Sequence, residues 1–447
     1  MKGFHEAVRD RISSLRQRVL ELEQKDYPTP ASRNLLGVIS DILKKIPDRL
    51  KLYEPRFTRA PEAGRRSSGW LTNLLSNLHA LMFIVNETSR AKTPAALINS
   101  LRDTAREYTG STVDLLIRPD SQGVQYGYEA LDLQIRGVLQ QAADFIDVRL
   151  EELARPLGEG LVVLSYPAAE RNNVMLHGIF LHELGHHITY RTGIMQSVME
   201  AHPNAPDIQG IDAEAWIWEF AADLAALRIV GPAYAFGIYQ SMLSTEVLET
   251  YRETHPPSYW RMLVLLDELA AEGFLDAMPG ALRTHVDGWR PDLASAGKRC
   301  EANLREEGTE ELFQYVQRVL PDLVKEVRAS IRAGFVSFQY EHECKPLLAQ
   351  LKAFVPLNEW YDVESGQWVP ASLAAILNTG WMFMLADLEE FFNAIGATDP
   401  AERERLRHRI FELIAKSVEF AQIQKDIARV HDGFAPTPAG SEAEVSG

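Results

Sequence analysis

Apolar residues at Phe4, Val8, Ile12, Leu15, Val19 and Leu22 recur at spacings of three and four, which predicts an amphipathic helix over residues 3–24. Pro28 and Pro30 stop it. The same period predicts helices over 32–53, 69–88 and 94–107, so the first part of the chain reads as an α-helical module. Residues 113–117 and 125–128 predict a β-hairpin turning around Pro119 and Gly123. Helix returns over 129–155. Pro156 and Gly160 break it, and the short apolar run 161–166 reads as a strand closed by Pro167. Asn172 or Asn173 is placed to cap a long helix over 174–191. A second helix, over 213–229, follows a polar loop and stops before Gly231 and Pro232. Further helices over 233–243, 259–272, 309–333 with a break or kink at Pro321, 373–396 and 401–431 complete the chain. Residues 433–447, rich in Pro, Gly, Ser and Glu, are expected to form a disordered tail.

Composition narrows the function classes. With 447 residues, 46% hydrophobic and 24% charged, the chain is an ordinary globular one with material for two or three domains. Its most apolar stretches, 78–85 and 374–385, fall well short of the roughly 20 apolar residues that cross a bilayer, so no membrane insertion is expected. The N-terminus has charges every few residues and no apolar signal core, which makes a cytoplasmic location the expectation. Cys300 and Cys344 form no metal-like or disulfide pattern and read as buried thiols. Residues 1–118 hold 20 of the 46 Lys and Arg but only 13 of the 62 Asp and Glu. The rest is therefore strongly acidic, which argues against a nucleic-acid partner.

Chemistry concentrates in two of the predicted helices. His182-Glu-Leu-Gly-His186 is an H-E-x-x-H motif, and on a helix its i, i+4 spacing puts both imidazoles on one face, where they can share a metal. Glu183 stands beside that face as a general base for a zinc-activated water. The motif alone arises by chance in roughly one or two of every hundred chains of this length, so a third ligand must be found. The helix 213–229 supplies it. Glu219 and Asp223 stand four residues apart among Trp, Phe and Ala, a costly place for carboxylates without partners. Glu219 reads as the third zinc ligand, and Asp223 as the acceptor for a ligand histidine's far nitrogen. Glu214 is an alternative ligand near the start of this helix, where it also suits the helix dipole. His187 points about 100° away from His186 and is not read as a ligand. Gly185 leaves room for another segment to approach closely. In the segment 254–261, His255 is a candidate oxyanion donor held by Pro256 and Pro257, Tyr259 is its alternative, and Arg261 locks the loop by pairing with an acid.

Taken in order, H-E-L-G-H, E-F-A-A-D and H-P-P-x-x-x-R resemble the gluzincin peptidases related to the HtpX heat-shock protease and the CAAX prenyl endopeptidase. The resemblance covers about residues 160–270. It implies His182, His186 and Glu219 as zinc ligands, Glu183 as base, His255 and Arg261 as accessory residues, and Asp223 as the family's aspartate four residues past the ligand. This chain lacks the transmembrane helices of the membrane members, which leaves the chemistry in place but not their substrates.

The expected architecture is mainly α. A small α+β zincin-like core at 156–290 is flanked by helical regions at 1–155 and 291–432, and by the tail at 433–447. The strand 161–166 is expected at a sheet edge, where a peptide substrate would add as a further strand. The expected activity is zinc-dependent endopeptidase cleavage of a protein or peptide, with the flanking helices free to recruit a partner protein. The alternative is a zinc-binding sensor or interaction module that turns nothing over.

Overall fold

The computed structural model describes residues 2–434, apart from 60, 90–94, 112, 121–125, 130, 158–160, 172, 209, 245–247, 250, 307–308 and 364. Residues 435–447 of the tail expected at 433–447, and residues 121–123 of the turn expected at 119–123, lie outside these residues, while Gly433 and Phe434 end the last helix. The described chain is mainly helical.

Two hydrophobic cores meet at a three-stranded sheet. The long helices Lys2–Glu23, Pro30–Arg59 and Pro61–Glu87 pack with Leu131–Ile146 around Leu22, Leu35, Ile39, Ile42 and Leu78. The sheet comprises β1 (Asp114–Asp120), β2 (Gly127–Glu129) and β3 (Leu161–Pro167) in the order β1-β3-β2. Side chains alternate across a strand, and here the alternation sorts them between the cores. Leu116, Leu161 and Val163 face the N-terminal helices, whereas Leu115, Ile117, Val162, Leu164 and Tyr166 face the larger core. Every residue of β3 is buried, as expected of a strand covered on both faces.

That arrangement corrects two expectations. The strands on either side of 121–125 exist but do not form a hairpin, because β3 lies between them, parallel to β1 and antiparallel to β2. β3 is therefore central and has no free edge for a substrate. A continuous apolar run reads equally well as an edge or a centre until its neighbours are known.

The larger core surrounds two helices: Phe180–Arg191, here the motif helix, and Ala213–Val230, here the glutamate helix. The predicted helix 174–191 begins as a 3₁₀ segment, Val174–Ile179, and turns α only at Phe180. Asp212 caps the glutamate helix by accepting from Ala215 N at 2.9 Å. Its far end stops at Gly231, whose φ of 69° is accessible to glycine without strain, and a Cβ there would come within 2.9 Å of Phe335. Asn378 closes the break. Its amide donates to Val230 O at 2.6 Å, and its Oδ1 accepts from Ala233 N at 2.8 Å, joining the glutamate helix to the following helix Pro232–Ser244. Of the break or kink expected at Pro321, the break does not occur: the proline sits inside the continuous helix Glu310–Ser330. The last helix, Pro400–Phe434, returns to Ala95–Thr109 through Ser100–Gln422 and the paired contacts of Arg429 with Asp103.

The two central helices touch at Gly185. A Cβ there would lie 2.8 Å from the carbonyl oxygen of Ala222 and 3.1 Å from its Cα. Those contacts are with backbone, so one helix would have to move. Gly185→Ala is expected to cost on the order of 1–3 kcal/mol, as overpacking does, and to lower the thermal midpoint despite alanine's better helix propensity. An unchanged midpoint would show that the helices separate freely.

Candidate metal centre

The motif helix places the rings of His182 and His186 one turn apart, 4.7 Å between centroids. Across the Gly185 contact, the glutamate helix presents Glu219 to both. Glu219 Oε2 lies 3.3 Å from His182 Nε2, and Oε1 lies 3.4 Å from His186 Nε2. One donor atom from each of the three residues falls within 4.8 Å of the other two, so the group can hold a metal ion.

Behind the donors lies a buried polar layer. His182 Nδ1 is 2.9 Å from Asp223 Oδ1, leaving Nε2 toward the centre. A carboxylate on the far nitrogen fixes the ring and its tautomer, as around metal-bound histidines generally. Asp223 is fully buried and is held by Arg261 in a fork: Nε to Oδ2 at 2.7 Å and Nη2 to Oδ1 at 2.7 Å. Arg261 Nη1 also lies 3.2 Å from Glu219 Oε2. Tyr234 completes the layer. Its hydroxyl donates to Asp223 and lies 3.2 Å from His182 Nδ1, and its ring is parallel to the imidazole.

The electrostatics favour an added cation. Glu183, Glu219 and Asp223 are three buried acids, against which Arg261 and His182 are the buried bases, so the acids outnumber the bases in the cluster. Burial alone would raise the carboxyls of Glu219 and Asp223, but Arg261 and His182 hold both below the usual carboxylate range. Burial alone would lower His182, yet Glu219 and Asp223 outweigh it and raise the imidazole to about 10. Glu219 Oε2 makes no hydrogen bond despite its ion-pair distances to His182 and Arg261. A buried, charged acceptor without a directed donor is what a metal ligand offers.

Glu183, His182, Glu219, His255 and Arg261 line one cavity of about 120 Å³, whose apolar wall includes Ile179 and Met242. His255 Nε2 lies 3.6 Å from Glu219 Oε1, and the side chain is 48% exposed. Its loop is pinned. The backbones of Arg252 and His255 bond to each other, Trp216 Nε1 donates to Arg252 O at 3.1 Å, and Asp212 N donates to Glu253 O at 2.8 Å. Burial and Arg261 lower the imidazole of His255 against the pull of Glu219.

Tyr259 does not join this group. Its ring packs against Gly297, with a glycine Cβ position only 3.0 Å away, and it is not among the residues lining the cavity. As the second residue of the helix Ser258–Ala271 it points to the opposite side from the residue two positions later, Arg261. Glu214 is exposed at the start of the glutamate helix, and neither it nor His187 belongs to the donor group. Tyr234 was not singled out from the sequence, because nothing about a tyrosine eleven residues beyond Asp223, past a Gly-Pro break, marks it.

His182 binds its proton more tightly in the folded, metal-free protein than at its ordinary value of 6.5. Its contribution to stability is therefore complete below about pH 6.5 and is lost as the pH rises through about 10. Chelated protein is expected to unfold at progressively lower denaturant concentration across that interval, and a constant midpoint would show that the folded imidazole is neutral. Metal binding at neutral pH is expected to release this proton, measurable as a dependence of the binding heat on buffer ionisation enthalpy.

No family model, no curated protein and no solved structure matches this chain.

Proposed function

We propose that the chain is a zinc-dependent metallopeptidase with a gluzincin-like core. The observation that carries this reading is a three-residue donor set, His182, His186 and Glu219, two of whose members, His182 and Glu219, line one cavity together with a second acid, Glu183. Three protein donors leave a coordination position open, as catalytic zinc sites do, whereas structural sites are closed by four. The two-histidine, one-carboxylate set suits zinc. The order of H-E-L-G-H, E-F-A-A-D and H-P-P-x-x-x-R supports the same assignment.

Zinc held by His182, His186 and Glu219 would supply the Lewis acidity that activates a water and polarises the scissile carbonyl. Glu183 takes the proton from that water and passes it to the departing amine. His255, uncharged at neutral pH and fixed by its loop, donates from Nε2 to the carbonyl oxygen as negative charge develops there. Asp223, Arg261 and Tyr234 hold His182 in the orientation that presents Nε2. The substrate main chain adds to β2, the outer strand that continues from Tyr126 in the cavity wall, in place of the central β3. The substrate class that this chemistry acts on is a protein or peptide; among the described residues no helix is long and apolar enough to cross a membrane.

Elemental analysis of purified protein is expected to give about one zinc per chain, with far less in Glu219→Ala. Glu183→Gln should retain the zinc while peptide hydrolysis falls by roughly 10²–10⁴-fold, the usual contribution of a general base. His255→Ala should lower kcat with zinc unchanged, while Tyr259→Phe leaves both unaltered. A parent that stays metal-free after zinc is supplied at neutral pH defeats the proposal. A parent that holds zinc but cleaves no peptide is instead the non-catalytic zinc-binding module.

A further inference from the structure

A second cavity, of about 650 Å³, opens between the end of the motif helix, the helix Ile194–Ala201 and the start of the glutamate helix. It shares no lining residue with the cavity of Glu183. Trp218, Tyr190, Met195 and Met199 form its apolar surface, with Arg191 and Glu214 also bordering it. Trp218 links this space to the metal centre. Its ring stands edge-on to His186 at 6.4 Å between centroids and edge-on to Tyr190 at 6.3 Å.

The placement follows from the helices that carry the donors. Trp218 immediately precedes Glu219, and Tyr190 follows His186 by one turn, so the same two helices that aim the metal ligands also build the aromatic wall. Tyr190 is 66% exposed and Trp218 37%, although most of the glutamate helix is buried. Two large rings left in water beside a reactive centre, backed by adaptable methionines, form a ready apolar receptor. The volume lies in the range of small-molecule pockets, roughly 300–1,000 Å³.

We propose that this second cavity is a specificity pocket that receives a large apolar side chain of the substrate, aromatic above all, close to the bond that is cleaved. The inference rests on the metallopeptidase reading and deepens it by naming the substrate class. The contact of Trp218 with the donor His186, which joins the pocket wall to the metal centre, selects a side chain of the same peptide as occupant.

The test is equilibrium binding of two hydroxamates to zinc-loaded protein, followed by calorimetry and needing no turnover. Both probes, acetohydroxamate and the hydroxamate of N-acetylphenylalanine, anchor on the metal, and only the second carries a benzyl group. At least tenfold tighter binding of the benzyl probe is expected, about 1.4 kcal/mol. The preference should shrink to about twofold or less in Met199→Trp, which fills the cavity. It should fall in Tyr190→Ala, which removes an exposed ring at little cost to folding. Equal binding of both probes, or a preference unchanged in both variants, overturns the pocket and leaves the metal centre standing. Binding of neither probe overturns pocket and metal centre together. Hydrolysis is scored separately on peptides with Phe or Ala flanking the scissile bond, so loss of the peptidase reading is distinguishable from loss of the pocket.

Discussion

Arg261 and Asp223, both buried, are paired through two hydrogen bonds, and the centre is built outward from that pair. A buried ion pair is seldom a net source of stability, because removing two charges from water costs about what their attraction returns. Its value here is positional. The fork fixes the Asp223 carboxylate, the carboxylate fixes His182 through Nδ1, and the remaining guanidinium nitrogen reaches Glu219. One cation therefore sets the attitude of two donors on two helices, and Tyr234 consolidates the far side. Removing Arg261 would strand two buried carboxylates, so the arrangement holds together or fails together.

The donors also depend on how closely the two central helices approach. Glu219 reaches both histidines because no side chain intervenes at Gly185, where the motif helix rests on the backbone of Ala222. The sheet then sets where this pair can sit. Because β1 and β3 send alternate side chains into separate cores, the N-terminal helices are held on one face and the helices of the centre on the other. The period of two that makes a strand also makes this partition.

Much of the centre was legible in the sequence because its costs were. Two histidines at i, i+4 with an acid between them, and two acids four apart among Trp, Phe and Ala, can be satisfied only by each other, by a cation or by a metal. Gly185 was legible for the same reason, as a missing side chain at a crowded place. Tyr234, Trp218 and the order of the strands were not. A tyrosine among apolar residues and a tryptophan beside a glutamate look like core until a neighbour is known, and strand order depends on pairings over some tens of residues that no local pattern encodes. Tyr259 misled for a complementary reason. An aromatic hydroxyl two residues from a functional arginine is close in sequence, but on a helix that spacing points it to the opposite side. The paired strands Glu359–Asp362 and Gln367–Pro370 were missed because each is too short to show a period.

The segment that carries the three motifs is not a structural unit by itself. The break after the glutamate helix is closed by Asn378, and the carbonyl of Met175, just before the motif helix, accepts from Trp381 at 3.2 Å. Gly380 makes the same dependence visible, since a Cβ there would meet the sulfur of Met175 at 2.6 Å. From the other direction, β3 is covered by helices that begin at the N-terminus, and Ala95–Thr109 is clasped by Pro400–Phe434. Residues 160–270 cut free would expose the face of β3 that meets the N-terminal helices and both of its edges, and leave the junction at Gly231 without its cap. The geometry of the three donors is therefore a property of the packing around the motifs and not of the motifs alone.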